Sequence, residues 1–101
     1  MEHFKTTMFF PLSDNEGNPF QEEVWEWWRD ELTRLLSGFT DLGVVHGWWQ
    51  GQSDQNQWVV AVVAGSEHLD DLRHMLRLAR QMFRQDAMYF EWHSVQFELV
   101  T

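Results

Sequence analysis

Four of the seven Lys and Arg residues, Arg73, Arg77, Arg80 and Arg84, follow one another at intervals of four, three and four. On a helix that spacing gathers them on one face. Guanidinium groups so gathered can hold carboxylate or phosphate oxygens through paired hydrogen bonds, so the stripe is a candidate anion-binding site. The commoner use of such a face is structural, and the expectation is that these arginines pair with acids on a neighbouring helix or simply face water. An acidic run, Glu22, Glu23, Glu26, Asp30 and Glu31, is the obvious supplier of those acids. Paired carboxylates do acid–base chemistry only when one of them is desolvated. Here the spacing spreads them around an exposed arc, which reads as a solvated face. The alternative is an acidic surface that docks a basic protein partner or imitates nucleic acid.

Histidines are the next candidates. His46 and His93 fall on predicted strands, and His3, His68 and His74 have no evident companions. The spacings HxH, HxxxH and HExxH are absent, so no metal is expected. Neither GxGxxG nor GxxxxGK[ST] occurs, and no nucleophile–base arrangement stands out, so no cofactor and no catalytic residue can be named. What remains is aromatic. The chain has seven Trp and eight Phe, more than one small core is expected to hold, and exposed Trp favours interfaces and pockets.

The elements that must position these side chains can be read from periodicity. Phe4 to Leu12 reads as a first strand, ended by Pro11. Ser13 to Asn18 is turn-forming, with Asn18 capping and Pro19 opening a helix that runs to Ser37. Val24, Trp25, Trp28, Leu32, Leu35, Leu36 and Phe39 share its apolar face, Trp27 falls off that face as a candidate exposed contact, and Gly38 stands at a left-handed C-cap. Val44 to Gln50 and Trp58 to Ala64 read as two strands of a hairpin whose loop, Gly51 to Asn56, is several residues long. Ser66 caps a second helix, Glu67 to Arg84, with Leu69, Leu72, Met75, Leu76, Ala79, Met82 and Phe83 on its apolar face. Ala87 to Val100 is a last strand. Its apolar phase changes between Trp92 and Val95, which predicts a bulge at His93-Ser94.

The order is therefore βαββαβ. It predicts one α+β domain over residues 1–101, with a four-stranded antiparallel sheet of order 4-1-3-2 and two helices on one face. If Met88, Phe90 and Trp92 face the helices, Tyr89, Glu91 and His93 face outward. In the second strand either His46 with Trp48 or Val45 with Trp49 does the same. The third strand is apolar on both sides, so something must cover the open face: a second copy of the chain, or a small hydrophobic ligand. His46, Trp48, Tyr89, Glu91 and His93 are the candidate residues of that pocket or interface, although the strand order puts His46 and His93 on opposite edges.

Composition limits the partners. The formal net charge is −9, which opposes direct binding to a phosphate backbone. No apolar run is long enough to span a membrane, and residues 1–5 carry no secretory signature, so the expected location is the cytoplasm. The absence of Cys excludes disulfides and thiolate chemistry.

The segments Met8-Phe9-Phe10, Gly38-Phe39-Thr40 and Gly47-Trp48-Trp49, set between Thr6 and Phe97, resemble a bacterial family of small ferredoxin-like proteins of unknown function. The resemblance implies a ferredoxin-like sandwich and carries no activity with it. In length and element order the chain is also similar to the dimeric α+β barrels, whose sheet faces pack together and which include stress-responsive proteins and cofactor-free oxygenases. Together these readings predict a non-catalytic interaction module that self-associates through the open sheet face. A barrel enzyme acting on a small hydrophobic compound, or an acidic inhibitor of a nucleic-acid-binding protein, are the alternatives.

Overall fold

A computed structural model describes residues 1–101. The elements are β1 (His3–Pro11), α1 (Glu22–Leu35), β2 (Thr40–Trp49), β3 (Gln52–Ala64), α2 (Gly65–Met82) and β4 (Phe90–Val95). All neighbouring strands are antiparallel and the sheet order is β2-β3-β1-β4. This is the βαββαβ arrangement expected from the order of apolar patterns.

One hydrophobic cluster joins the sheet to both helices. Met8 and Phe10 of β1 and Val59, Ala61 and Val63 of β3 are buried against Trp28 and Leu32 of α1 and Leu69, Leu72, Met75, Leu76 and Ala79 of α2. Alternate residues of a strand point to opposite faces. The strand members of the core have a single phase in each strand, so both helices lie on one face. Thr6 is the buried polar member, and its hydroxyl donates to the Ala61 carbonyl at 2.9 Å. At the far end Phe83 makes tilted or edge contacts with Phe10, Phe20 and Trp25.

Several boundaries differ from the sequence reading. Helix α1 starts at Glu22, not Pro19, and its cap position, Gln21, makes no side-chain cap. Asn18 is engaged elsewhere. The Asp14 carboxylate accepts from the backbone N–H of Glu16 and Asn18, both at 2.9 Å, and Pro19 bridges to Ser13. Residues 13–19 thus close a loop on themselves before the helix begins. At the other end Leu36 is extended, with φ −117°, so the helix ends without the left-handed cap assigned to Gly38.

The β2–β3 connection is shorter than expected. Gln50 and Gly51, at φ 50° and 80°, form a two-residue turn with both residues left-handed, the type that matches strand twist. Gln52 to Asp54 are polar because this part of β3 is a ribbon flanked only by β2, not because it is loop, and Asn56 already pairs with Pro11. Gly43, at φ 85°, sits at a bulge beside Asp41, whose carboxylate accepts from the Gly43 N–H and from the Gln57 amide.

Helix α2 begins at Gly65 directly from β3, with Ala64 rather than Ser66 at the cap, and ends at Met82. Strand β4 is confined to Phe90–Val95 and keeps an unbroken register with β1 from Met8↔Phe90 to His3↔Val95. The predicted bulge at His93-Ser94 is absent. Phe90 and Trp92 face the helices while Val95 faces the other way, which accounts for the change of apolar phase.

Candidate functional site

The register assigns every strand residue to a face. Opposite the helices, β1 presents His3, Lys5, Thr7 and Phe9, and β3 presents Asn56, Trp58, Val60 and Val62. On the edges, β4 presents Glu91, His93 and Val95, and β2 presents Val45, Gly47 and Trp49. No helix lies over this side. Phe9 ties its centre together, with ring centroids 6.2 Å from Trp58 and 5.2 Å from Tyr89. Val62 is 40% exposed and Tyr89 52% exposed.

The open face is divided in character. Its β3 half is an aliphatic and aromatic shelf of Trp58, Val60 and Val62. Its β4 half is a titratable strip. Tyr89 Oη donates to Glu91 Oε1 at 3.1 Å, and His93 stands two positions beyond Glu91, opposite Lys5. The hydrogen bond to Glu91, followed by partial desolvation and the carboxylate charge, raises the Tyr89 hydroxyl above its ordinary 10.0. At the end of the strip His3 packs edge-on against Phe97, with centroids at 4.9 Å. A shallow cleft of about 550 Å³ opens there between residues 1–3 and 94–97.

The five residues predicted for one pocket divide into two groups. Tyr89, Glu91 and His93 share the open face on edge strand β4. His46 and Trp48 lie on edge strand β2 and point to the helix side, because the pair that faces outward is Val45 and Trp49. His46 Nε2 meets the Gln55 amide at 2.8 Å across the β2–β3 ribbon. Within one chain the two groups are separated by two strands and by the thickness of the sheet.

The arginine stripe also divides, and it does not pair with α1. Arg73 bonds Asp70 of its own helix at 2.6 Å and lies over the Trp92 and Phe90 rings, 4.9 and 5.7 Å from their centroids. Arg80 donates to the Gln85 carbonyl at 3.3 Å. Arg84 is past the end of the helix at φ 50° and bonds Asp14 at 3.0 Å, beside a cleft of about 490 Å³ lined in part by Phe20 and Met82. Arg77 is exposed and makes no ion pair. The acids of α1 likewise pair within their own helix, Glu22 with Arg29 and Glu31 with Arg34. Glu31 with Arg34 and Asp70 with Arg73 are three apart on one helix, where side chains are neighbours, and Glu22 meets Arg29 two turns on. Trp27, expected to be exposed, is half-buried against the core edge. No three His, Asp or Glu side chains converge closely enough to share a metal ion.

Sequence reasoning did not single out Lys5, Phe9 and Trp58 as members of the open face, and it left Val45 with Trp49 as one of two possible phases of the second strand. The alternation His3-Lys5-Thr7-Phe9 carries the signal for β1. Using it requires the register with β3 and β4, which is set by partners between 45 (Pro11↔Asn56) and 92 (His3↔Val95) residues away.

No family model and no curated protein matches the chain. Among solved structures it is similar to a phage SAM lyase in complex with S-methyl-5'-thioadenosine, at 15% identity and a TM-score of 0.63, over 91% of this chain and 81% of that one. It is also similar to a phage SAM lyase in the apo state, at 16% identity and a TM-score of 0.63, over 92% and 81%. At that identity the likeness establishes the shared α+β fold.

Proposed function

We propose that this chain is an interaction domain that binds a second copy of itself through the open face of the sheet. The observation that carries the reading is the apolar shelf of Phe9, Trp58, Val60 and Val62, which faces away from both helices and has no helix over it; Val62 is exposed and the other three are half-buried. Soluble monomers seldom leave such a patch wet. Charge supports the same choice. The open-face positions of the four strands carry one base, Lys5, and two acids, Asp54 and Glu91, in a chain of net charge −9. Helix α1 carries five acids and two arginines, α2 three of each, and most of the remaining surplus lies in loops and termini. Two copies meeting sheet to sheet therefore bring together surfaces with few charges. Sedimentation at micromolar concentration is the test. The wild type should be dimeric. Val62→Glu should be monomeric, because two carboxylates would be buried with no cation beyond Lys5 to meet them. Leu78→Glu, on an exposed position of α2, should leave the dimer intact. A monomeric wild type would sink the reading.

A second reading is favoured by the Tyr89–Glu91–His93 strip. Aromatic rings beside a carboxylate suit a small ligand that has a flat ring and a positive centre, through stacking and charge–quadrupole attraction. The likeness of fold to a SAM lyase solved with S-methyl-5'-thioadenosine supports a sulfonium nucleoside as such a ligand. On this reading the domain is an enzyme whose site is roofed by a second copy. Incubation with SAM, with chromatography for S-methyl-5'-thioadenosine as the thioether left when the sulfonium loses its amino-acid chain, tests it. Product formation by the wild type and its loss in Glu91→Ala would support the reading, and the absence of product would overturn it.

A further inference from the structure

Strand β1 ends its pairing with β3 at Pro11↔Asn56, while β2 and β3 stay paired as far as Trp49↔Gln52. Residues 46–55 therefore leave the sheet as a two-stranded arm, closed by the Gln50-Gly51 turn and covered by a helix on neither side. The molecule is elongated, 45 × 28 × 24 Å. A two-stranded ribbon has little stability of its own in water. This one carries two of the most exposed large side chains in the protein, Trp48 at 75% and Trp49 at 72%. They are neighbours in sequence, so they point to opposite faces. Trp49 shares the side of Val45, Trp58 and Val60, whereas Trp48 shares the helix side.

We infer that the arm grips a second copy of the chain and that Trp49, not Trp48, is its anchor. The inference rests on the sheet-to-sheet association proposed above and adds a component to it. The first argument is area. The body of the sheet, four strands spaced about 4.8 Å apart with a rise of about 3.3 Å per residue, offers a face of roughly 500 Å². A stable interface needs about 800 Å² from each partner. The open side of the arm continues that face without a break, and a Trp side chain supplies roughly 150–250 Å² of contact by itself. The second argument is charge. Residues 46–55 contain one acid, Asp54, and no Lys or Arg, so of all the projecting parts of this acidic chain the arm meets the least repulsion from another copy. The third is geometry. The arm extends past the end of its own β1 with Trp49 on the open side, so in a sheet-to-sheet pair it reaches towards the partner beyond the body of its own sheet. An exposed indole that gains cover on association is the usual centre of an interface hot spot.

Sedimentation equilibrium of wild type, Trp48→Ala, Trp49→Ala and Trp49→Phe over a range of concentrations tests the inference. Trp49→Ala should raise the dimer dissociation constant by about tenfold or more, Trp49→Phe should recover most of the loss, and Trp48→Ala should change it by less than about threefold. Both indoles are exposed in the single chain, so neither truncation removes a core contact, and unchanged far-ultraviolet dichroism confirms folding. A dimeric wild type with the same dissociation constant for Trp49→Ala would overturn the anchor and leave sheet-to-sheet association standing. Equal losses for the two tryptophans would also overturn it, since only one faces the open side. A monomeric wild type would remove the underlying association itself, and the anchor with it.

Discussion

Tyr89 is the only tyrosine in the chain, so its ionisation can be followed directly by phenolate absorbance. Its hydroxyl donates to Glu91, and that bond favours the protonated phenol over the phenolate. The folded pKa is therefore raised above the unfolded value near 10.0. A group shifted in this direction contributes its stabilisation in full below the unfolded value and loses it as the pH climbs through the folded one. The expected titration midpoint lies above 10.0, and Glu91→Ala should bring it down towards that value. An unchanged midpoint in Glu91→Ala would mean that the carboxylate does not hold the hydroxyl. Asp14 shows the opposite sign. Backbone N–H groups of Asn18 and Glu16, the Asn18 amide and Arg84 hold its carboxyl below 3.8, against some opposing desolvation. Its contribution is whole above that value and fades as acid is added.

At the scale of elements, α1 shows how far the sequence carries and where it stops. The apolar face was legible. Trp28, Leu32 and Leu36 are buried, and Val24, Trp25, Leu35 and Phe39 pack on them. The start was not legible, because Asn18 and Pro19 satisfy the ordinary rule for a helix start while their actual role is to close the Asp14 loop. A local rule cannot tell which of two local acceptors wins. The same limit applies to the β2–β3 ribbon, where polar residues mean strand flanked by water rather than turn. The open face was legible in β4, where Tyr89, Glu91 and His93 point as expected. In β2 it remained a choice between two phases until the Gly43 bulge fixed it. Trp28 and Trp27 turn the helix reading into a measurement. Trp28 is buried edge-on against Phe10 and Trp25, both at 5.4 Å, and Trp28→Ala should cost about 3–5 kcal/mol. Trp27 covers the core rim, and Trp27→Ala should cost roughly 1–2 kcal/mol for the area it leaves wet. Denaturant midpoints that fall equally for both would contradict the assignment of faces. The indole N–H of Trp28 is buried without an acceptor, so Trp28→Phe should lose less than Trp28→Ala by more than the difference in volume alone implies.

At the scale of the molecule, the acids are concentrated on α1 and the loops, whereas the open side of the sheet has few charges. No helix is long and apolar enough to cross a membrane. In the proposed dimer the helix layers, each with the acidic surplus of its α1, become the outer surfaces, as far apart as the two sheets allow. Their mutual repulsion still opposes association, and salt at ordinary strength screens it over about 8–10 Å. Raising the salt concentration should therefore tighten the dimer in the sedimentation experiment. An association weakened by salt would instead indicate complementary ion pairs at the contact, which the open face has few groups to supply.

The place of β1 in the sheet has a consequence for how the chain is made. β1 precedes the other three strands of the sheet in the chain, yet it is a central one, and its neighbours are β3 and β4, with His3 set opposite Val95. Until residues 90–95 have left the ribosome, β1 has nothing on one side but its own unpaired N–H and C=O groups. Such an edge is a template for pairing with any passing strand, including the β1 of another nascent chain. Pairings this distant in sequence also form late, since a long loop must close before they return any energy. Loss of β4 would thus do more than remove one edge strand. It would leave the centre of the sheet as an exposed border and turn a folding domain into an aggregation-prone one.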